Sequence, residues 1–194
     1  MRIFRPLSIL LVFFFLAGCA AKIPHKIVPD YGKRGMKLVV VLPPKGEAAG
    51  PKAVEMLRAR IAEELYFKGY PKVSFQAVDE ALAQIAIGAD GKVSPRSIGE
   101  RIKVDAVLYT TIHESRTRRL LFYAPTTVDL EFELRSVKTG ETLWQVRHRT
   151  TERNYGFTGR QLELKSSQIY EAAILEVLNR ALETLPESTD AIMP

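Results

Sequence analysis

Between Thr126 and Val137 the chain alternates with a period of two: Val128, Leu130, Phe132 and Leu134 fall on one side, and Asp129, Glu131, Glu133 and Arg135 on the other. Successive side chains of an extended strand point to opposite faces, so this stretch reads as a strand with one buried and one wet face. Wound as a helix, the same residues would scatter charge around every side. Two further long strands are expected, from Val104 to Arg116 and from Thr142 to Arg153, with Trp144 and Val146 on the inward side. Lys138-Thr139-Gly140-Glu141 supplies the turn that makes the second and third strands a hairpin.

Upstream the period changes. Lys37 to Leu42 is a continuous apolar run stopped by Pro43-Pro44, the mark of a strand buried on both faces. From Pro51 to Lys68, Val54, Leu57, Ile61 and Leu65 recur at helical spacing, with Gly69 just past the end. Val73-Ser74-Phe75 reads as a short strand, and Asp79 as the cap of a helix through Ile85. Ser94 as N-cap and Pro95 at the first helical position open another helix to about Ile102. Ile169, Ala173, Val177, Ala181 and Leu185 form a wide stripe on a long C-terminal helix ended by Pro186, fit to cover the sheet. The expectation is one α/β domain of two or three layers over residues 37–186, with a mixed sheet, element order β-α-β-α-α-β-β-β-α and a loose tail at 187–194.

A chain of 194 residues with 46% hydrophobic and 26% charged residues suits one globular domain. Its N-terminus has the layout of a secretory signal peptide: Arg2 and Arg5, the apolar run Leu7 to Leu16, then Ala17, Gly18 and Cys19. Ten apolar residues at about 1.5 Å each cover only about half of a hydrocarbon core near 30 Å thick, so the run is too short to remain as a spanning helix. Loss of residues 1–18 takes away both arginines and lowers the net charge from +6 to +4. A single cysteine excludes an internal disulfide and multi-cysteine metal clusters. Residues 19–36, with Pro24, Pro29, Gly32 and Gly35, read as an extended tether whose lysines are either solvated or near anionic head groups.

Leu16-Ala17-Gly18-Cys19 resembles the bacterial lipobox, in which cleavage precedes a diacylglycerol-modified cysteine. The resemblance implies that Cys19 is the acylated first residue of the mature protein, and that Ala20 directs it to the outer membrane, facing the periplasm. Several acyl chains hold a protein on a bilayer far more firmly than one. A second resemblance rests on the strand ending Val41-Leu42-Pro43-Pro44 and the helix at Ser94-Pro95 leading to Val104-Asp105-Ala106-Val107-Leu108-Tyr109. Thr110-Thr111-Ile112 and the hairpin from Glu133 to Trp144 complete it. Together these are similar to the bacterial lipoprotein family with a neisserial surface-antigen member, and to CsgG, LpoB and TolB N-terminal-type periplasmic domains. That resemblance implies a CsgG- or TolB-N-like fold and a role in envelope assembly, export or partner regulation, as an accessory factor or as a subunit of an oligomeric export channel. The partners it implies are the membrane through Cys19 and an envelope protein or a second copy; a ligand-binding or hydrolytic periplasmic protein is the weaker alternative.

Residue by residue, chemistry finds little footing, and no catalytic residue, metal or cofactor is assigned. Gly46-Glu47-Ala48-Ala49-Gly50-Pro51-Lys52 lies where a phosphate loop belongs, but Pro51 and Ala53 break the Walker spacing and Pro51 has no N–H to donate, so no nucleotide is expected. Nucleic acid is equally foreign to the envelope. His25, His113 and His148 form no HExxH motif, and Ser166 and Ser167 lack a nucleophile elbow. Asp129, Glu131 and Glu133 read as solvated charges. Two features remain. Arg118, Arg119, Leu120, Leu121, Phe122 and Tyr123 place an apolar patch where the chain turns between strands; it is a buried strand extension, a partner-binding edge or a membrane-inserting element. Arg147, Arg149 and Arg153 share a strand face and either grip anionic groups or bridge to Glu131 and Glu133 next door.

Overall fold

The computed structural model describes residues 22–46, 51–88, 91–118, 120–156 and 158–188. Its elements in chain order are β1 (His25–Ile27), β2 (Val39–Val41), α1 (Pro51–Phe67), α2 (Phe75–Leu82), α3 (Pro95–Arg101), β3 (Ala106–Thr117), β4 (Thr126–Ser136), β5 (Thr142–Glu152) and α4 (Gly159–Leu182). One five-stranded sheet has the order β1-β5-β4-β3-β2, with β2 parallel to β3 and every other pair antiparallel. This is the mixed α/β architecture expected, and its layering varies across the sheet. Val39 and Val41 join Leu57, Ile61 and Leu65 of α1 and Val177, Leu178 and Ala181 of α4 in the main core. The alternate residues Val40 and Leu42 pack with Val78 of α2, Ile98 of α3, Val107 and Tyr109 in a smaller one. Strand pleat therefore gives three layers over β2 and β3 and two over β4 and β5, whose second face is open.

The inward half of the alternation read from β4 holds, with Val128, Leu130, Phe132 and Leu134 all buried against the helical layer, whereas Asp129 and Glu133 on the other face are buried rather than solvated. Two register shifts adjust the ladder. At β3, Ile112 pairs with Leu130 and Glu114 with Asp129, leaving His113 as the extra residue of a bulge. At β5, Leu134 pairs with Trp144 and Arg135 with Thr142, so Leu143 and Trp144 both enter the core. Trp144 is fully buried, and its indole N–H donates to Thr184 at 3.0 Å. The turn before it has Gly140 at φ +75°, a left-handed conformation that glycine adopts without strain.

Three expectations need correction. Val73-Ser74-Phe75 is no strand: Ser74 caps α2 by accepting from the Ala77 N–H, and Phe75 begins the helix. Asp79 is consequently a turn inside α2, where it pairs with Arg58 of α1 at 2.8 Å. The stretch from Pro24 onward is not a free tether. Ile23 is buried in the core, β1 adds an edge strand to β5, and Tyr31 is buried with its hydroxyl 2.8 Å from that of Tyr70. Backbone pairing and apolar burial outweigh the proline and glycine content that suggested an extended linker. At the other end the tail begins attached, since Ser188 is buried and its N–H donates to the Lys68 carbonyl at 2.8 Å.

Candidate interaction surface

Among its described residues, the connection between β3 and β4 extends their hairpin through backbone hydrogen bonds. The Arg118 N–H donates to the Pro125 carbonyl at 3.0 Å and the Leu120 N–H to the Tyr123 carbonyl at 2.8 Å, closing the turn. The segment after β5 clamps it from the side: Ala124 N–H donates to Asn154 carbonyl and Gly156 N–H to Phe122 carbonyl, while the Tyr123 and Tyr155 rings lie 5.0 Å apart. Asn154, itself buried, anchors that segment by donating its side-chain amide to the Leu162 carbonyl of α4. Four backbone hydrogen bonds thus brace the segment, yet Leu120, Leu121 and Phe122 stand 54%, 86% and 60% exposed, with Tyr155 beside them at 62%. Of the three readings of this patch, the structure removes the buried strand extension, because all three apolar side chains are exposed. Tyr155 was missed from sequence because only the pairing of Tyr123 with the chain beyond β5 brings it to the tip.

Arginines surround the patch. Arg118 and Arg153 are exposed, and the Arg116 side chain is 62% exposed beyond its pairing with Glu114. Arg119 and the lipobox residues Leu16, Ala17, Gly18 and Cys19 lie outside the described residues, as do Glu47 to Gly50 of the strand-helix loop.

The open face of β3, β4 and β5 carries a charge lattice. Arg147 grips Asp129 bidentately at 2.9 and 2.8 Å, and Arg149 reaches Glu114 at 2.8 Å. The expected bridges to Glu131 and Glu133 do not form. In register Arg147 lies opposite Glu131, but its fork reaches diagonally to Asp129, while the bulge at His113 brings Glu114 toward Arg149. Glu131 accepts instead from Gln145 at 2.6 Å and pairs with His113 at 2.7 Å. Glu133, only 8% exposed, accepts from Lys92 at 2.7 Å, Arg135 at 2.8 Å and the Thr142 hydroxyl at 2.7 Å.

These partners set the charge states. The Arg147 hydrogen bonds hold the Asp129 carboxyl below its usual range. Burial pushes Glu133 up, but the donors from Lys92, Arg135 and Thr142 outweigh it and bring it down to about 2. Burial likewise pushes Glu131 up, but hydrogen bonds from His113 and Gln145 outweigh it and hold its carboxyl below the usual range. Burial, then the nearby Arg180, lowers His148. An arginine whose fork is filled by Asp129 is a poor grip for a second anion, which leaves Arg153 as the more open member of the predicted stripe.

His113 sits on the open face, whereas His148 pairs with inward-facing Leu130, so the two cannot share an ion. Among the described residues no three His, Cys, Asp or Glu side chains converge on a metal position. Gly46, at φ +144°, lets the backbone pass within hydrogen-bond reach of β3, where Ile112 N–H donates to Lys45 carbonyl at 2.7 Å. The glycine read as part of a phosphate-loop position serves this close approach; its Cβ would meet the Ile112 oxygen at 2.2 Å.

The family model described as "Putative lipoprotein GNA1162-like" matches residues 30–189. Among solved structures, lipoprotein GNA1162 from Neisseria meningitidis is similar with a TM-score of 0.55 at 24% identity, covering 70% of this chain and 96% of that one. The PelC dodecamer from Paraburkholderia phytofirmans has a TM-score of 0.45 at 19% identity, covering 82% and 95%. The LpoB C-terminal domain from Escherichia coli has a TM-score of 0.41 at 18% identity, covering 73% and 93%. No curated protein matches. The lipoprotein resemblance carried by the Val41-Leu42-Pro43-Pro44 strand and the Glu133 to Trp144 hairpin agrees with the family match, and the GNA1162 likeness is one of fold.

Proposed function

The chain belongs to the GNA1162-like lipoprotein family, and from that membership we propose an outer-membrane-anchored periplasmic protein that is a non-enzymatic accessory or assembly factor in envelope transport, secretion or biogenesis. In this reading residues 1–18 are removed, Cys19 is acylated, and the domain works through contact surfaces. The observation that carries it is the hairpin tip: a hydrogen-bonded backbone holds Leu120, Leu121 and Phe122 out in solvent, where they contribute nothing to the core. Apolar surface displayed in this way favours association, by about 25 cal/mol for each Å² it loses to water. Arg118 and Tyr123 flank it, Arg119 is adjacent in sequence, and exposed Arg149 in β5 and Arg153 just past its end add basic charge suited to acidic surfaces.

Crosslinking in membranes followed by co-purification tests the proposal. Wild type is compared with Cys19→Ala, with Leu121→Asp plus Phe122→Asp, and with Arg149→Glu plus Arg153→Glu. Recovery of a defined envelope protein or homo-oligomer that at least one folded surface variant loses supports the contact role. A wild-type protein that stays monomeric and alone, or a partner that every variant keeps, contradicts it.

A further inference from the structure

The direction of β1 relates the lipid anchor to the apolar tip. His25 pairs with Val146 and Ile27 with Trp144, antiparallel, so the chain enters β1 from the side of Glu152. Glu152 pairs with Thr126 at the end of the ladder from which the tip projects. Val146 to Glu152 is six residues of strand, about 20 Å. Cys19 to His25 is also six residues, with a reach of at most about 20 Å, and Ile23 is already pinned in the core. An acylated Cys19 can therefore extend to about the end of the β4/β5 ladder, and Leu120 to Phe122 stand beyond that level. An amphipathic element lying in a bilayer interface buries its apolar side by about 5–10 Å, which is the scale of this overhang.

Charge agrees with the geometry. Arg116, Arg118 and Arg153 are exposed just behind the apolar residues, and Arg160 is exposed at the start of α4 on the same side. Apolar residues ahead of a basic collar match the layering of acyl chains behind anionic head groups. Tyr155 and Tyr123 add aromatic rings at the depth where such rings settle.

We infer that the β3–β4 tip seats Leu120, Leu121 and Phe122 in the interface of the bilayer that holds acylated Cys19, with Arg118 and Arg153 against its anionic head groups. The tip and the anchor together fix the domain's orientation, with the tip end at the membrane and the Gly140 turn pointing away. This inference rests on the lipid-anchor reading above. A second copy or an envelope protein on the tip is the outcome that would replace it.

The test uses the full-length protein purified from membranes and placed in vesicles of phosphatidylethanolamine and phosphatidylglycerol, some of whose acyl chains carry bromine. Wild type has one tryptophan, Trp144, fully buried and beyond the reach of quenching lipid. In Phe122→Trp, the tryptophan placed at position 122 is expected to lose most of its emission in brominated vesicles, while wild type changes little. Leu121→Asp combined with Phe122→Trp should restore much of that emission while the protein still floats with the vesicles. A Phe122→Trp protein that floats but shows no quenching overturns the inference and leaves the lipid anchor standing. A wild-type protein whose Cys19 carries no acyl group by mass spectrometry overturns the anchor reading instead.

Discussion

Replacing Glu133 by glutamine keeps the shape of the side chain and removes its charge, as protonation would. Glu133 is 8% exposed and accepts three hydrogen bonds, two of them from Lys92 and Arg135. Its folded pKa of about 2 lies below the ordinary 4.5. At 1.36 kcal/mol per unit, that difference amounts to about 3 kcal/mol of stability at neutral pH. The sign follows from the lowered value: the contribution is fully present above about pH 4.5 and is lost as pH falls through about 2. Glu133→Gln should therefore cost about 3 kcal/mol at pH 7, or about 6–12 °C in Tm for a chain of this size. The gap between variant and wild type should close as pH falls from about 4.5 toward 2, since wild type then carries the same neutral group. Thermal unfolding of both proteins in the same detergent, followed by circular dichroism across that range, measures the gap directly. A cost under about 0.5 kcal/mol at pH 7, the size of an ordinary surface change, or a gap independent of pH, would refute the reasoning.

Other substitutions probe the remaining parts of the fold. Trp144→Ala should destabilise by about 3–5 kcal/mol, seen as a lower denaturation midpoint, because a fully buried indole and its bond to Thr184 are both lost. Arg147→Ala should cost about 1–3 kcal/mol in denaturant unfolding at pH 7 and raise the Asp129 pKa by NMR, since a carboxylate only 4% exposed loses its bidentate partner. Gly99→Ala should cost about 1–3 kcal/mol, because its Cβ would meet Val137 Cγ1 at 2.0 Å where α3 crosses the end of β4. Leu121→Asp with Phe122→Asp should change the unfolding midpoint by less than about 0.5 kcal/mol equivalent, because neither side chain packs in the core.

The strands were legible because period-two patterning in Val128 to Leu134 and the continuous run Val39 to Leu42 each admit one kind of strand. The Thr139-Gly140 turn and the inward Trp144 were legible for the same local reasons. What the sequence concealed depends on non-local partners. His25 to Ile27 has the composition of a linker and becomes a strand because β5 offers it an unpaired edge. Val73 to Phe75 has strand propensity, yet Ser74 caps a helix whose Val78 fills the smaller core. The arginine pairings could not be read because they depend on the His113 bulge and on diagonal reach, neither of which alternation encodes. At the tip, sequence supplied the apolar residues, while their exposure and the company of Tyr155 come from the clamp made by the chain after β5.

Mass spectrometry of the N-terminal peptide, from protein extracted intact from cell membranes, tests most directly the lipid-anchored role on which the proposals rest. The expected result is a peptide beginning at Cys19 and carrying a diacylglyceryl group on its thiol, with residues 1–18 absent. An unmodified Cys19, or a mature chain that begins elsewhere, would contradict it.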